Sequence, residues 1–255
     1  MRALLAAVLV CVTVVACRPE PPVPAADPEG STIVIVHGAW GGGWQFHKVE
    51  PLLRQAGHVV SRPTLTGLGE RVHLASPDIG LSTHIEDVVK VFEFEDIHDG
   101  ILVGHSYGGM VISGVAQRIP HRITKLIYLD AFVPRDGESV AALVGGRIAG
   151  ADGEAQTWLV APGWVEDGEP PPVDVPHPLK TLTDPIVLDN PEARAIPAVF
   201  LHTIEAGAQT DDFDVFAERA RALGWPVVTM EGGHNPHWFQ PERFVEVLLD
   251  AIGEL

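Results

Sequence analysis

The sequence predicts an α/β fold: an open, mostly parallel sheet of about six strands with helices on its faces. Three observations carry this. Short β-branched apolar runs alternate with stretches of helical periodicity from residue 32 onward. The runs are apolar at consecutive positions, as expected of strands covered on both faces. Finally, Gly104-His105-Ser106-Tyr107-Gly108 stands between one such run, Ile101–Val103, and a small-residue helical stretch from Gly109 to Gln117. A strand that enters a helix through so tight a turn belongs to a layered α/β architecture.

The elements follow in order. Ile33–Val36 reads as the first strand, and a helix is expected from about Gln45 to Gln55, before a strand that begins at Val59–Val60. Leu81 to Phe94 has helical spacing, with Ile85, Val88, Val89 and Phe92 on one face and Glu86, Asp87, Lys90 and Glu93 on the other. Ile123–Leu129 is another strand, followed by Asp130. Periodicity then fails over about 134–191, where Pro162, Pro170–Pro172, Pro176, Pro178 and Pro185 accompany Trp158 and Trp164. So long an irregular insertion in a compact domain reads as a functional lid. Ala198–His202 resumes the strands, Asp212–Leu223 is helical, Val227–Met230 is the last strand and Phe244–Ile252 an amphipathic helix.

These elements form one domain, residues 31–255, behind two different segments. Residues 1–17 read as a signal peptide: Arg2 precedes an apolar stretch from Ala3 to Ala16 that is too short to span a bilayer comfortably. Its end, Val14-Val15-Ala16-Cys17, resembles a bacterial lipobox. Residues 18–30 carry Pro19, Pro21, Pro22, Pro24 and Pro28 and read as an extended tether. The expectation is an exported protein held to a membrane by a lipid on Cys17, or failing that a periplasmic or secreted one.

Composition narrows the chemistry. The net charge is −17, from 17 Lys+Arg against 34 Asp+Glu, and no basic stripe is available for nucleic acid. The two cysteines, Cys11 and Cys17, both lie in the first segment, so the body has no disulfide, thiol nucleophile or cysteine metal site.

Serine chemistry remains. Ser106 sits where a strained turn lifts a hydroxyl above the sheet edge, beside the positive end of a helix. Its general base is expected late in the chain, on the loop after the last strand, where Gly232-Gly233-His234 precedes Asn235-Pro236. Position selects His234 from 12 histidines. His237 is the nearest rival; a His234/His237 metal pair lacks a carboxylate at third-ligand spacing, so no metal is expected. Oxyanion donors are expected from the N–H of Tyr107 and from Ala39, in the loop His37-Gly38-Ala39-Trp40-Gly41-Gly42-Gly43-Trp44. His37 reads as a structural tie of that loop. Its glycines do not read as a phosphate cradle, since no Lys-Ser/Thr follows.

Val36 to Trp44, Glu50-Pro51-Leu52-Leu53, Gly104 to Met110 and Tyr128 to Pro134 together resemble the α/β-hydrolases, in the branch of plant methyl-salicylate-type esterases, hydroxynitrile lyases and related bacterial esterases. The resemblance runs from Thr32 to the C-terminus, most loosely in the lid. It implies a compact α/β-hydrolase fold without a cofactor. In the plant members the acid of the triad falls at the position of Ala206, which cannot orient an imidazole. Asp130, at the end of the strand after the elbow helix, is the favoured substitute, with Glu205 the alternative. Asp211 and Asp212 read as helix N-terminal residues.

The expected function is therefore a serine hydrolase that cleaves a small to medium neutral carboxylic ester through an acyl-enzyme. A hydroxynitrile lyase would place a lysine beside the histidine, where Asn235 stands. A ligand-binding protein with little turnover is the third reading, kept open by the displaced acid. Trp40, Phe132, Trp158 and Trp164 are expected to wall the substrate site, with Tyr107 near its mouth.

Overall fold

The computed structural model describes residues 30–146, 148 and 158–253. The expected signal peptide, Cys17 and the tether up to residue 29 lie outside the described residues.

In chain order the elements are β1 (Thr32–Val36), α1 (Val49–Gln55), β2 (Val59–Ser61), α2 (Leu81–Phe94), β3 (Gly100–His105), α3 (Gly108–Arg118) and β4 (Ile123–Leu129). Then come α4 (Val140–Leu143), β5 (Leu159–Val160), β6 (His177–Pro178), α5 (Leu179–Thr183), β7 (Ala198–Ile204), α6 (Asp214–Ala222), β8 (Val227–Glu231), α7 (Pro236–Phe239) and α8 (Pro241–Gly253). Six strands form one parallel sheet in the order β2-β1-β3-β4-β7-β8.

Strand alternation explains why the runs are wholly apolar. Val34, Val36, Leu102, Tyr128 and Phe200 join the core on the α2, α3 and α6 face. Their neighbours Ile33, Ile35, Ile101, Val103, Ile127, Leu129, Val199 and Leu201 join the core under α1 and α8. Successive side chains point to opposite faces, and both faces are covered, so every position is buried.

The strand order sets the site. From β1 the chain goes outward to β2, then returns across β1 to β3, so the order reverses between β1 and β3. The crevice above the carboxyl ends of those strands is where open α/β sheets bind ligands. The loop after β1 and the turn after β3 both open there.

Two boundaries differ from the sequence reading. The helix expected from Gln45 divides into a 3-10 turn, Gly43–Phe46, and α1. Gly43 is pinned, its N–H by Thr64 Oγ1 at 2.9 Å and its carbonyl by Arg62 at 2.9 Å, which breaks the helix before it starts. The helix expected from Asp212 begins at Asp214, because Asp211 Oδ1 accepts from the Phe213 N–H at 2.7 Å ahead of it. Over 134–191 the structure places α4, the β5–β6 ribbon and α5, pieces of two to five residues. Such pieces are too short to show a period.

Candidate active site

Ser106 lies between β3 and α3 with φ of 54°, the left-handed region that costs an ordinary side chain energy. The turn holds it there: its N–H donates to Leu129 O at 3.2 Å, and its carbonyl accepts from Gly109 N at 3.0 Å and Phe132 N at 3.1 Å. Glycine is required around it. A Cβ on Gly104 would stand 2.7 Å from Gly108 O, and one on Gly108 2.6 Å from Val36 O. Strand and helix therefore cross at backbone contact, which pushes the serine outward.

The loop after β1 lies directly against it, since a Cβ on Gly38 would be 3.2 Å from Ser106 Cβ. Among the described residues, the N–H groups of Ala39 and Tyr107 find no acceptor. His37 ties the loop down from inside: Nδ1–H donates to Gly38 O at 2.8 Å and Nε2 accepts from Leu65 N at 3.1 Å. Full burial holds its pKa down to about 4, so it stays neutral and keeps that tautomer.

His234 follows β8. Its Nδ1 lies 2.7 Å from Oδ2 of Asp130, which is fully buried and has φ of 41°. The Asp130 N–H donates to Leu201 O at 2.8 Å, and Thr203 N donates to its Oδ1 at 3.2 Å. The imidazole is clamped on two sides: Phe213 stacks on it at 4.7 Å and 16°, and His105 packs at 4.6 Å. Ser106 Oγ makes no hydrogen bond among the described residues. Catalytic contacts are often long in ligand-free enzymes and close around substrate.

Sequence reasoning missed two of these supports. His105 Nε2–H donates to the His234 carbonyl at 2.9 Å, which anchors the loop that carries His234. Burial, then the neighbouring His237 and His234 rings, hold the His105 pKa well below its ordinary value. The neutral ring is therefore a steady donor. Its place inside the Gly-x-Ser-x-Gly segment was the available signal. Phe213 left none, because it arrives from a distant loop.

The other expected residues separate. His237, the rival base, is buried and stacks on Phe46 at 4.3 Å, and burial takes its pKa down to about 3. Glu205 is exposed and its carboxylate makes no hydrogen bond to His234. Tyr107 requires a correction: its ring is not at the mouth but fully buried, with its hydroxyl 2.9 Å from His84 Nδ1 and its ring 5.1 Å from His177. Next after Ser106, its side chain turns into the core under α2.

Of the expected walls, Trp40 does the most structural work. It sits at φ of 63°, next to Ala39. Its N–H donates to His177 Nδ1 at 3.1 Å, its carbonyl accepts from Val175 N at 2.9 Å, and its Nε1–H donates to Val160 O at 2.9 Å. Trp164 meets it edge-on at 5.0 Å and donates to Asp174 Oδ2 at 2.9 Å. Phe132 packs behind Phe213 at 5.6 Å rather than lining open space, and Trp158 is part-exposed in the lid. A cavity of about 400 Å³ between Trp44, Trp164, Trp238 and Asn235 opens beside the His234 loop. One of about 430 Å³ lies away from Ser106, between Ser113, Tyr128, Arg219 and Trp225. Its size is no argument for the reaction, since none of its lining groups carries the chemistry.

Comparisons with known proteins agree with the fold. A family model described as "Alpha/beta hydrolase family" matches residues 33–247. A carbendazim hydrolyzing esterase from Nocardioides sp. is 54% identical over 114 residues, 45% of this chain and 47% of that one. The chain thus spans about half the length of that curated relative. A pyrethroid hydrolase from Sphingobium wenxiniae is 28% identical over 251 residues, covering 86% of each chain. Among solved structures, an extracellular alpha/beta-hydrolase from a Paenibacillus species superposes with a TM-score of 0.71 at 23% identity, over 87% of this chain and 98% of that one.

Proposed function

This chain belongs to the alpha/beta hydrolase family, and we propose that within it the protein is a serine carboxylic-ester hydrolase acting on small to medium neutral esters. One observation carries the reading. A strained serine stands beside two unpaired backbone amides, on the same sheet edge as an imidazole already oriented by a buried carboxylate. The esterase and hydrolase names of the relatives support it.

In this mechanism Ser106 Oγ attacks the ester carbonyl carbon while His234 Nε2 takes its proton. Asp130, on Nδ1, holds the tautomer and stabilises the imidazolium. The Ala39 and Tyr107 N–H groups receive the oxyanion. The tetrahedral intermediate collapses, and the alcohol leaves with the proton from His234. Water, deprotonated by the same imidazole, then attacks the acyl-serine and releases the carboxylic acid. A cyanohydrin lyase gains no support: Asn235 stands where a lysine is needed. With the acid displaced to Asp130 yet bonded to His234, the low-turnover binding reading loses its motive too.

Stopped-flow hydrolysis of p-nitrophenyl acetate is the test. The expected result is a burst of about one p-nitrophenol per chain, absent in Ser106→Ala, whose steady rate falls by at least about 10³-fold. A rate unchanged in Ser106→Ala would sink the proposal. The proposed anchoring at Cys17 is decided separately, by labelled palmitate retained in the wild type and lost in Cys17→Ala.

A further inference from the structure

We propose that Asp130, His202 and Asp211 form a divalent-cation site, of zinc or manganese type, whose occupancy draws the carboxylate away from His234 and switches hydrolysis off. The effect on rate rests on the esterase reading; the binding itself does not.

Three elements bring the group together. Asp130 ends β4, His202 lies on the adjacent β7, and Asp211 sits on the loop ahead of α6. Each offers one ligand atom, and these atoms lie within 4.8 Å of one another. Asp130 is fully buried and His202 is 2% exposed. Among the described residues, neither ring nitrogen of His202 has a hydrogen-bond partner. Its Nε2 stands 3.3 Å from Asp214 Oδ1, a charge-pair distance without hydrogen-bond geometry.

A neutral imidazole carries one N–H and one lone pair, and leaving such groups unpaired in the interior is costly. Buried orphans of this kind call for a partner, and the groups nearest this ring are carboxylates, those of Asp130, Asp211 and Asp214. The carboxylates keep capacity as well. Asp130 oxygens each accept one bond, from His234 and from Thr203 N, and Asp211 Oδ1 accepts one from Phe213 N. A carboxylate has about four lone-pair sites.

The donor set decides which cation. One imidazole with two carboxylates suits zinc or manganese, whereas magnesium and calcium favour oxygen alone. Ligand atoms around tetrahedral zinc stand about 3.4 Å apart at bonds near 2.1 Å. The group must close by roughly an ångström, a movement assigned to Asp211 on the loop ahead of α6. Once the cation shares Asp130, the carboxylate stabilises the His234 imidazolium less.

The test uses chelator-treated protein titrated with zinc chloride in a calorimeter, with p-nitrophenyl acetate hydrolysis followed in parallel. Expected are one tight zinc per chain, a fall in rate with the same midpoint, and recovery on adding chelator. Binding should weaken at least about tenfold in His202→Gln and in Asp211→Asn. Asp211 is a loop carboxylate, so that variant stays informative if His202→Gln folds poorly. Millimolar magnesium should neither bind nor inhibit. Absence of stoichiometric binding, equal binding in both variants, or bound zinc without loss of rate would each overturn the proposal. If the chain binds zinc in this variant-dependent way yet hydrolyses no ester, the cation site stands and the esterase reading falls.

Discussion

At the scale of single residues the site turns on which carboxylate serves the imidazole. Asp130 is buried and lies 2.7 Å from Nδ1 of His234, whereas Glu205 is exposed beside Gly233. Asp130→Asn is accordingly expected to lower kcat by about 10³–10⁴-fold, the scale seen when a triad acid becomes an amide that favours the wrong tautomer. Glu205→Gln should stay within about twofold of wild type, a change too small to reflect lost triad support. Steady-state kinetics of the two variants check both, and the opposite ranking would reassign the acid. Asp130 is legible in the sequence because it directly follows the β4 run, a place where the resemblance to other α/β-hydrolases puts an acid. The inward turn of Tyr107 could not, since the direction of a side chain at a helix start depends on what the helix packs against. His105 and Phe213 escaped notice for a related reason: both act on the His234 loop from segments distant in the chain, His105 from 129 residues away.

At the scale of elements, what could be read followed from length. β4 spans Ile123–Leu129 and α2 spans Leu81–Phe94, the same residues that β-branched runs and helical spacing indicate. The lid pieces β5, β6 and α5 carry two to five residues each, and contacts with other segments, not local preference, decide them. At the junction of β3, α3 and β4 the backbones crowd together: a Cβ on Gly109 would stand 2.2 Å from Phe132 O, a backbone atom that cannot swing aside. Gly109→Ala should therefore destabilise the fold by about 1–3 kcal/mol, the usual cost of overpacking. Urea unfolding followed by circular dichroism measures it, and a midpoint equal to wild type would show that α3 can slide. Because Phe132 N also holds Ser106 O, activity should fall in the same variant.

At the scale of the whole molecule, buried neutral histidines set the response to acid. His37 and His84 are held down to about 4 and His237 to about 3, with His105 and His177 also well below 6.5, in each case first by burial. For His177 the His84 and His37 rings beside it add to the effect. In the unfolded chain all of these rings regain a pKa near 6.5. Below that pH the unfolded state therefore binds more protons than the folded one, so stability falls as pH drops toward 4. Each group contributes about 1.4 kcal/mol of loss between pH 7.5 and 5.5, an order-of-magnitude figure from its depressed pKa. Urea midpoints should accordingly fall steeply over that range. A flat profile from pH 7.5 to 5.5 would mean that these rings are charged in the fold.

The three hydrogen bonds that Trp40 makes to Val160, Val175 and His177 join the residue after Ala39 to the segment overhead. The position of the Ala39 amide is thus tied to that of the segment above it. Under the proposed mechanism, loss of those bonds would also loosen one of the two amides assigned to the oxyanion.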